Sequence, residues 1–412
     1  MAEGLAEAAK VSPRRGLITA TAILASMIYS IDWTIAAVAL PHMQGTFSAT
    51  QDQISWVMTS YIVVSAITLP TTGWLSAKLG RKRLFLVAIG GFTLFSFLCG
   101  AANSLPAEIA FRAGQGCFGA FLLPLSQSLM LDHYPKEEHS RAMALWGLGV
   151  ILGPVIGPTI GGYLTEIYSW RWVFYVSVPV GLVALAGGLA FLPRDESDGG
   201  AANFDWLGFA ALGLCLGSFQ LMLDRGERLD WFEAQEIQIE AGLCLLGLYV
   251  FLVHALTSPH PLVNLRLMLD RNYALGLLFA FIYGMLTLPP MILLPPFLAS
   301  LQGYPVVTVG LLMSPRGVGL MIAMLVLGRI GGRIDPRATL AFGFAAIGIS
   351  SWYMAGWSLE VDAFEVVWTG VVQGMGAGAI VVPLGVVTFA TLDQRHRTEA
   401  ASMWNLVRSA GS

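Results

Sequence analysis

The sequence predicts an all-α, polytopic membrane protein. Two observations predict it. The chain is 56% hydrophobic and only 12% charged, with a mean hydropathy of +0.68, whereas an ordinary soluble domain is about 25% charged. Runs of about 18 or more apolar residues, long enough to span a bilayer, recur from end to end. The net charge of −3 says little, because in a membrane protein charge matters by location.

The apolar runs place spans at 16–40, 53–75, 84–104, 106–131, 141–167, 170–193, 206–224, 237–257, 273–299, 305–330, 337–358 and 363–390, with a thirteenth opening near 398. The first run is too long for a signal-peptide core and has no small-residue cleavage site. Basic residues test the count, because cytoplasmic connections collect Lys and Arg. With the N-terminus cytoplasmic, 17 of the 23 fall in inner segments, including Lys10, Arg81, Lys82, Arg333 and Arg397. Arg171, Arg225 and Arg228 fall outside, and Arg112, Arg316 and Arg408 fall within spans. One missed span would scramble that alternation. Cys99, Cys117, Cys215 and Cys244 all lie in apolar runs, with neither metal spacing nor a disulfide pattern.

An internal repeat runs at an offset of 258. Gly73 maps to Gly331, Gln115 to Gln373, Gly116 to Gly374, Trp146 to Trp404 and Gly153 to Gly411. Transporters are often built from such repeats around a site between the halves. Two additional spans at 206–257 account for the long offset. The expected organisation is a six-helix bundle over 1–194, two inserted helices over 195–260, and a second bundle over 261–412. By this logic the second copy stops about one and a half spans short, and the reading expects a C-terminal truncation or a fragment.

The fifth span carries "GVILGPVIGPTIGG". Gly149, Gly153, Gly157 and Gly161 recur every fourth residue, with Pro154, Pro158 and Gly162 among them. In lipid, helices associate by close packing, so small residues mark interfaces. The prolines remove hydrogen bonds and can bend the helix, while neighbouring helices satisfy the freed carbonyls. The stretch reads as a close helix–helix contact.

This stretch resembles the antiporter motif of drug:proton exporters of the major facilitator superfamily. "DWTIAAVALP" (32–41), "GWLSAKLGRKR" (73–83), "RAGQG" (112–116), "SWRWVFYVSVP" (169–179) and "LDRGERLDWF" (223–232) are similar, in order, to motifs of its fourteen-span branch and of EmrB/QacA-type multidrug efflux permeases, most closely the EmrB kind. The resemblance implies the major facilitator fold: two six-helix bundles with two extra helices between them. It also implies export of lipophilic or cationic drugs in exchange for protons by alternating access. It further implies a bacterial inner membrane and, as partners, a periplasmic membrane-fusion adaptor and a TolC-type outer-membrane channel. In the loop motif, Gly73, Gly80, Arg81 and Lys82 match a cytoplasmic gating element, but Ala77 stands where an acid is usual; Asp335 holds that place in the second half.

Ionisable residues inside a bilayer are expensive and point to function. Asp32 lies roughly 12 Å from the outer end of its span and Arg112 roughly 9 Å, at 1.5 Å per residue. The resemblance puts both spans on the central cavity. Burial raises an aspartate's pKa and a nearby arginine lowers it, so Asp32 is the expected proton carrier and Arg112 its modulator. A static ion pair is the alternative. Arg316 lies roughly 16 Å deep and either binds substrate, pairs with an acid, or is satisfied by carbonyls near Pro315. Trp33, Gln115 and Gln373, with Met130, Phe118 and Phe121, are the expected cavity lining. Glu108 is expected to be solvated near the outer surface, and Asp132 to anchor the inner end of the fourth span. There is no G-x-x-x-x-G-K-[ST] phosphate loop, so transport needs an ion gradient and no cofactor. No catalytic triad or metal set stands out. The rival readings are an exporter of one metabolite or siderophore and a non-transporting remnant.

Overall fold

A computed structural model of the chain describes residues 15–193, 204–259, 261–330, 334–392 and 397–411. Sixteen α-helices make up the described part, joined by short turns. In chain order they are α1 (Arg15–Phe47), α2 (Gln51–Thr68), α3 (Thr72–Leu79), α4 (Arg81–Ala101), α5 (Leu105–Gly119), α6 (Leu122–His133), α7 (His139–Ile167) and α8 (Trp172–Tyr175). They continue as α9 (Ser177–Phe191), α10 (Trp206–Gly226), α11 (Gln235–Thr257), α12 (Arg271–Pro296), α13 (Val306–Ile330), α14 (Pro336–Ala355), α15 (Ala363–Phe389) and α16 (Arg397–Gly411). Ten helical stretches among the described residues are long and apolar enough to cross a membrane. The α5–α6 pair and the 29-residue α7 are the other two expected crossings.

Local chemistry explains the boundaries. Thr50 and Gln53 form a reciprocal capping box that starts α2. Pro70 sits in the 3₁₀ turn that separates α2 from α3. Gly80, with φ of 85°, reverses the chain directly into α4, a conformation that a side chain would strain. Two expectations need correction. The first helix continues across Pro41 to Phe47 instead of ending near 40, because one lost hydrogen bond does not unwind a helix supported by its neighbours. The expected span 106–131 is broken at Ala120 and Phe121, four residues ahead of Pro124, whose missing N–H leaves the Ala120 carbonyl without its helical partner.

The packing follows from the small residues. Helix α1 lies along α7 and also touches α9; α5 packs on α2 and α4. In the second half, α15 packs on α13 and α14, and α12 on α16. Gly116 of α5 sits against the Tyr61 carbonyl, and its repeat counterpart Gly374 sits against the Arg316 carbonyl. The two halves therefore reuse one close contact. They meet where α7 crosses α13 and α15 and where α16 reaches α6 and α3. A core of Met130, Met143, Trp146, Met324, Ile380 and Trp404 fills that seam. The outer surface is apolar, as contact with lipid requires: Trp352 is 85% exposed and Leu256 73%.

Helices α10 and α11 pair with each other, and α10 rests on α2 through Gly213 against Ile67. Asp205 ties this pair to the rest. Its carboxylate accepts the Gly208 N–H at 2.8 Å, capping α10, and the Leu262 N–H at 2.9 Å, while His254 Nε2 of α11 lies 2.7 Å away. Burial pushes the Asp205 carboxyl up, but these donors outweigh it and hold it below the usual carboxylate range. A depressed carboxyl contributes stability that is present above its unfolded pKa and lost as pH falls through its folded one. Asp205→Ala is therefore expected to lose about 1 kcal/mol of local stability near neutral pH. The check is amide hydrogen exchange over 206–209 and at Leu262 in detergent. Protection there falls in the variant, and the difference from wild type shrinks as the pH is lowered into the acid range.

Candidate functional site

Asp32, from α1, and Arg112, from α5, meet inside the first half, and both are fully buried. Arg112 Nη1 donates to Asp32 Oδ2 at 2.6 Å and to Gln115 Oε1 at 2.6 Å. Gln115 Nε2 donates to Asp32 Oδ1 at 2.7 Å and to Ser96 Oγ of α4 at 2.7 Å. Arg112 Nε donates to the Val57 carbonyl at 3.2 Å. Its guanidinium also stands over the Tyr61 ring, 4.4 Å from the centroid, where the ring's negative face attracts it. Each oxygen of Asp32 thus has a donor. An ion pair in low dielectric needs such extra bonds to offset desolvation.

The position of Asp32 is fixed from the opposite side of α1. At 100° per residue, Ser30 and Thr34 face away from Asp32, and they meet the glycine stripe of α7. Thr34 Oγ1 donates to the Gly153 carbonyl at 3.2 Å, and Ser30 reaches the Gly149 carbonyl at 3.5 Å. A Cβ on Gly153 would lie 2.4 Å from the Ser30 carbonyl carbon, and one on Gly157 2.3 Å from Thr34 Oγ1. Cβ atoms on Gly149 and Gly161 would lie 2.9 Å from Ile23 and 2.8 Å from Ile35, whereas Gly162 faces open space. The stripe is the surface that seats the acid-bearing helix. Pro154 and Pro158 continue the helical backbone, and their side chains lie outside the described residues, as does that of Trp33.

A second polar cluster closes the end of the molecule that carries the Lys- and Arg-rich connections. Asp132, at the end of α6, accepts from Arg81 and, at 3.1 Å, from Arg397 of the second half. Ser128 bonds Thr398 at 3.1 Å, and Asn405 donates to Gln127 at 3.2 Å. Gly73 lets Glu399 of α16 approach: a Cβ there would lie 3.0 Å from the Glu399 Cβ. Lys82 donates to the Leu192 carbonyl at 2.5 Å. Asp335 caps α14, accepting the Arg337 N–H at 2.9 Å. Ala77 brings no acid to this cluster, and Asp132 is the carboxylate that Arg81 meets.

The second half is built differently. Arg316 donates to the Thr287 carbonyl of α12 at 2.7 Å, and no acid pairs with it among the described residues. It sits beside Gly370, the repeat position of Arg112. Gln373 is buried, and neither of its amide atoms has a hydrogen-bond partner among the described residues. Phe118, Phe121 and Met130 pack into apolar cores. One expectation is overturned: Glu108 is fully buried, not solvated. The segment 168–176 covers that face of α5, with Trp170, Val173 and Phe174 packing beside Cys99 and Ile109. Ser96, Val57 and Tyr61 were not foreseen, because only Gln115, three residues from Arg112, carries a readable spacing signal.

Residues 22–412 match the Major Facilitator Superfamily. The chain is 35% identical over 399 residues to the multidrug export protein EmrB of Escherichia coli, covering 96% of this chain and 78% of that protein. It is 32% identical over 391 residues to the fatty acid resistance protein FarB of Neisseria gonorrhoeae, covering 95% and 77%. Among solved structures, the proton:xylose symporter XylE superposes with a TM-score of 0.70 at 11% identity, covering 97% of this chain and 86% of that one. The human organic anion transporter MFSD10 does so with 0.66 at 15%, covering 97% and 92%.

The stripe geometry generates an expectation with an internal control. Gly153→Val overpacks the α1–α7 contact and is expected to cost about 1–3 kcal/mol. Gly162→Ala, which meets nothing, is expected to stay within about 0.5 kcal/mol of wild type. Thermal unfolding of the purified proteins in one detergent, with monodispersity on gel filtration, separates the two.

Proposed function

The chain belongs to the major facilitator superfamily, and from that premise we propose that it exports lipophilic or cationic drugs from the cytoplasm in exchange for protons. The observation that carries this reading is the buried Asp32–Arg112–Gln115 network. The EmrB relatives, named for multidrug export, support the substrate class. Transport and not chemical conversion is the activity this reading assigns.

In the proposed cycle the bundles 1–194 and 261–412 rock about a central path, with 195–260 inserted between them. Asp32 takes up a proton from outside. Neutralising it removes the partner of Arg112, and the strained, half-satisfied arginine favours rearrangement of α1 against α5. Opening inward breaks the Asp132–Arg397, Ser128–Thr398 and Gln127–Asn405 contacts, and the loop residues Gly73, Gly80, Arg81 and Lys82 move with them. Asp335 serves the matching loop of the second half. The glycine stripe, with Pro154 and Pro158, keeps α1 seated on α7 throughout. Arg316 and Gln373 line the proposed substrate path, where apolar walls with few polar groups suit amphipathic compounds. The Lys- and Arg-rich end is placed in the cytoplasm, the N-terminus with it, and the protein in a bacterial inner membrane. A periplasmic adaptor and an outer-membrane channel of the TolC type complete the proposed route.

Asp32→Asn and Arg112→Gln are each expected to lower drug–proton exchange at least about tenfold in proteoliposomes. Removing one partner of a buried pair costs about 3–5 kcal/mol, so each also unfolds earlier. The double variant Asp32→Asn/Arg112→Gln is expected to recover thermal stability without recovering exchange. Full exchange by either single variant would defeat the proposed role of the pair.

A further inference from the structure

Glu108 lies four residues before Arg112 and seven before Gln115 on one face of α5, about 6 Å and 10 Å away along the axis. It is fully buried, and neither carboxyl oxygen has a hydrogen-bond partner among the described residues. The groups facing it are Arg112 on its own helix, Asp32 on α1, the Cys99 thiol on α4 and Arg171 just before α8. Arg112 is engaged with Asp32, Gln115 and the Val57 carbonyl. Arg171 forms no ion pair with Glu108; its Nη2 reaches Asn103 at 3.5 Å. An ionised carboxylate left bare in such a place is very costly, and a neutral carboxyl is the form that burial favours. Two ionised acids around Arg112 would leave an uncompensated negative charge, while one proton makes the trio neutral.

We propose that Glu108 is a second proton carrier of this site, sharing one proton with Asp32 across Arg112 and standing between Asp32 and the outer face. The inference rests on the proton-coupled reading above. In the proposed resting arrangement, Glu108 holds the proton and Asp32, bonded to Arg112 and Gln115, is ionised. Transfer breaks the O–H bond of Glu108 and forms one on Asp32 through an intervening water. The negative charge passes to Glu108, and Arg112, placed between them, exchanges one carboxylate for the other. The charge of the trio is zero before and after, so the shift needs no further ion.

The test uses the full chain, purified and in proteoliposomes, as wild type, Glu108→Gln and Glu108→Asp. Infrared spectra near neutral pH should show a protonated-carboxyl stretching band that Glu108→Gln removes and Glu108→Asp shifts. Exchange of an ethidium-type cation for protons should fall about tenfold or more in Glu108→Gln, with cation binding kept within about threefold, and Glu108→Asp should restore most of the rate. The proposal is overturned if Glu108→Gln leaves the band in place, or if it exchanges at the wild-type rate with the wild-type pH profile. Wild-type protein that binds the cation yet moves no protons would defeat the export reading itself, and the infrared band would still decide whether Glu108 holds a proton.

Discussion

The ion pair between Asp32 and Arg112 puts two full charges in a fully buried place, and the surrounding helices are arranged to make that tolerable. An arginine has five N–H groups in a rigid plane and no way to shed its charge. Around this one the fold supplies a carboxylate, an amide oxygen, a backbone carbonyl and an aromatic face, drawn from α1, α5 and α2. Gln115 is the residue that closes the circuit, because its amide bonds both members of the pair and then Ser96 on α4. Four helices are therefore held in register by one polar knot in an otherwise apolar bundle.

That knot depends on packing that carries no charge at all. Helix α1 can present Asp32 to α5 only because its other side is pressed onto α7, and α7 admits it only because Gly149, Gly153, Gly157 and Gly161 have no side chains. The hydroxyls of Ser30 and Thr34 use the exposed carbonyls of the stripe. Position in lipid is thus set by steric fit and a few hydrogen bonds, in keeping with the weak hydrophobic drive between membrane helices. Gly116 repeats the device between α5 and α2, which sets Tyr61 beside Arg112.

Much of this was legible in the chain. Charge-free runs marked the crossings, and the scarcity of charges inside them singled out Asp32, Arg112 and Arg316. The every-fourth-residue glycines announced a close contact, though not which helix filled it. What could not be read was depth. Glu108 sits three residues into its helix, which suggests exposure, but the segment around Trp170 and Phe174 folds over it. A linear pattern does not show which loop covers which helix face. The break between α5 and α6 and the length of α1 were hidden for a related reason: neighbours decide whether a proline ends a helix or only dents it. Asp132 was read as an anchor, but its two arginine partners come from residues 51 and 265 positions away.

Arg316 and Gly370 show what the internal repeat conserves. By alignment, Gly370 stands where Arg112 stands, so the second half has no arginine at that position. In space, the backbone and Cβ of Arg316, from the adjacent helix, lie against that same glycine, and its guanidinium is bonded to the Thr287 carbonyl instead of a carboxylate. The second half keeps the close helix contact but carries its arginine on the neighbouring helix, with no acid paired to it among the described residues. Repeat partners in such a molecule are thus to be matched by where helices pass one another, because a column of aligned letters does not show that an arginine of the neighbouring helix runs past this glycine.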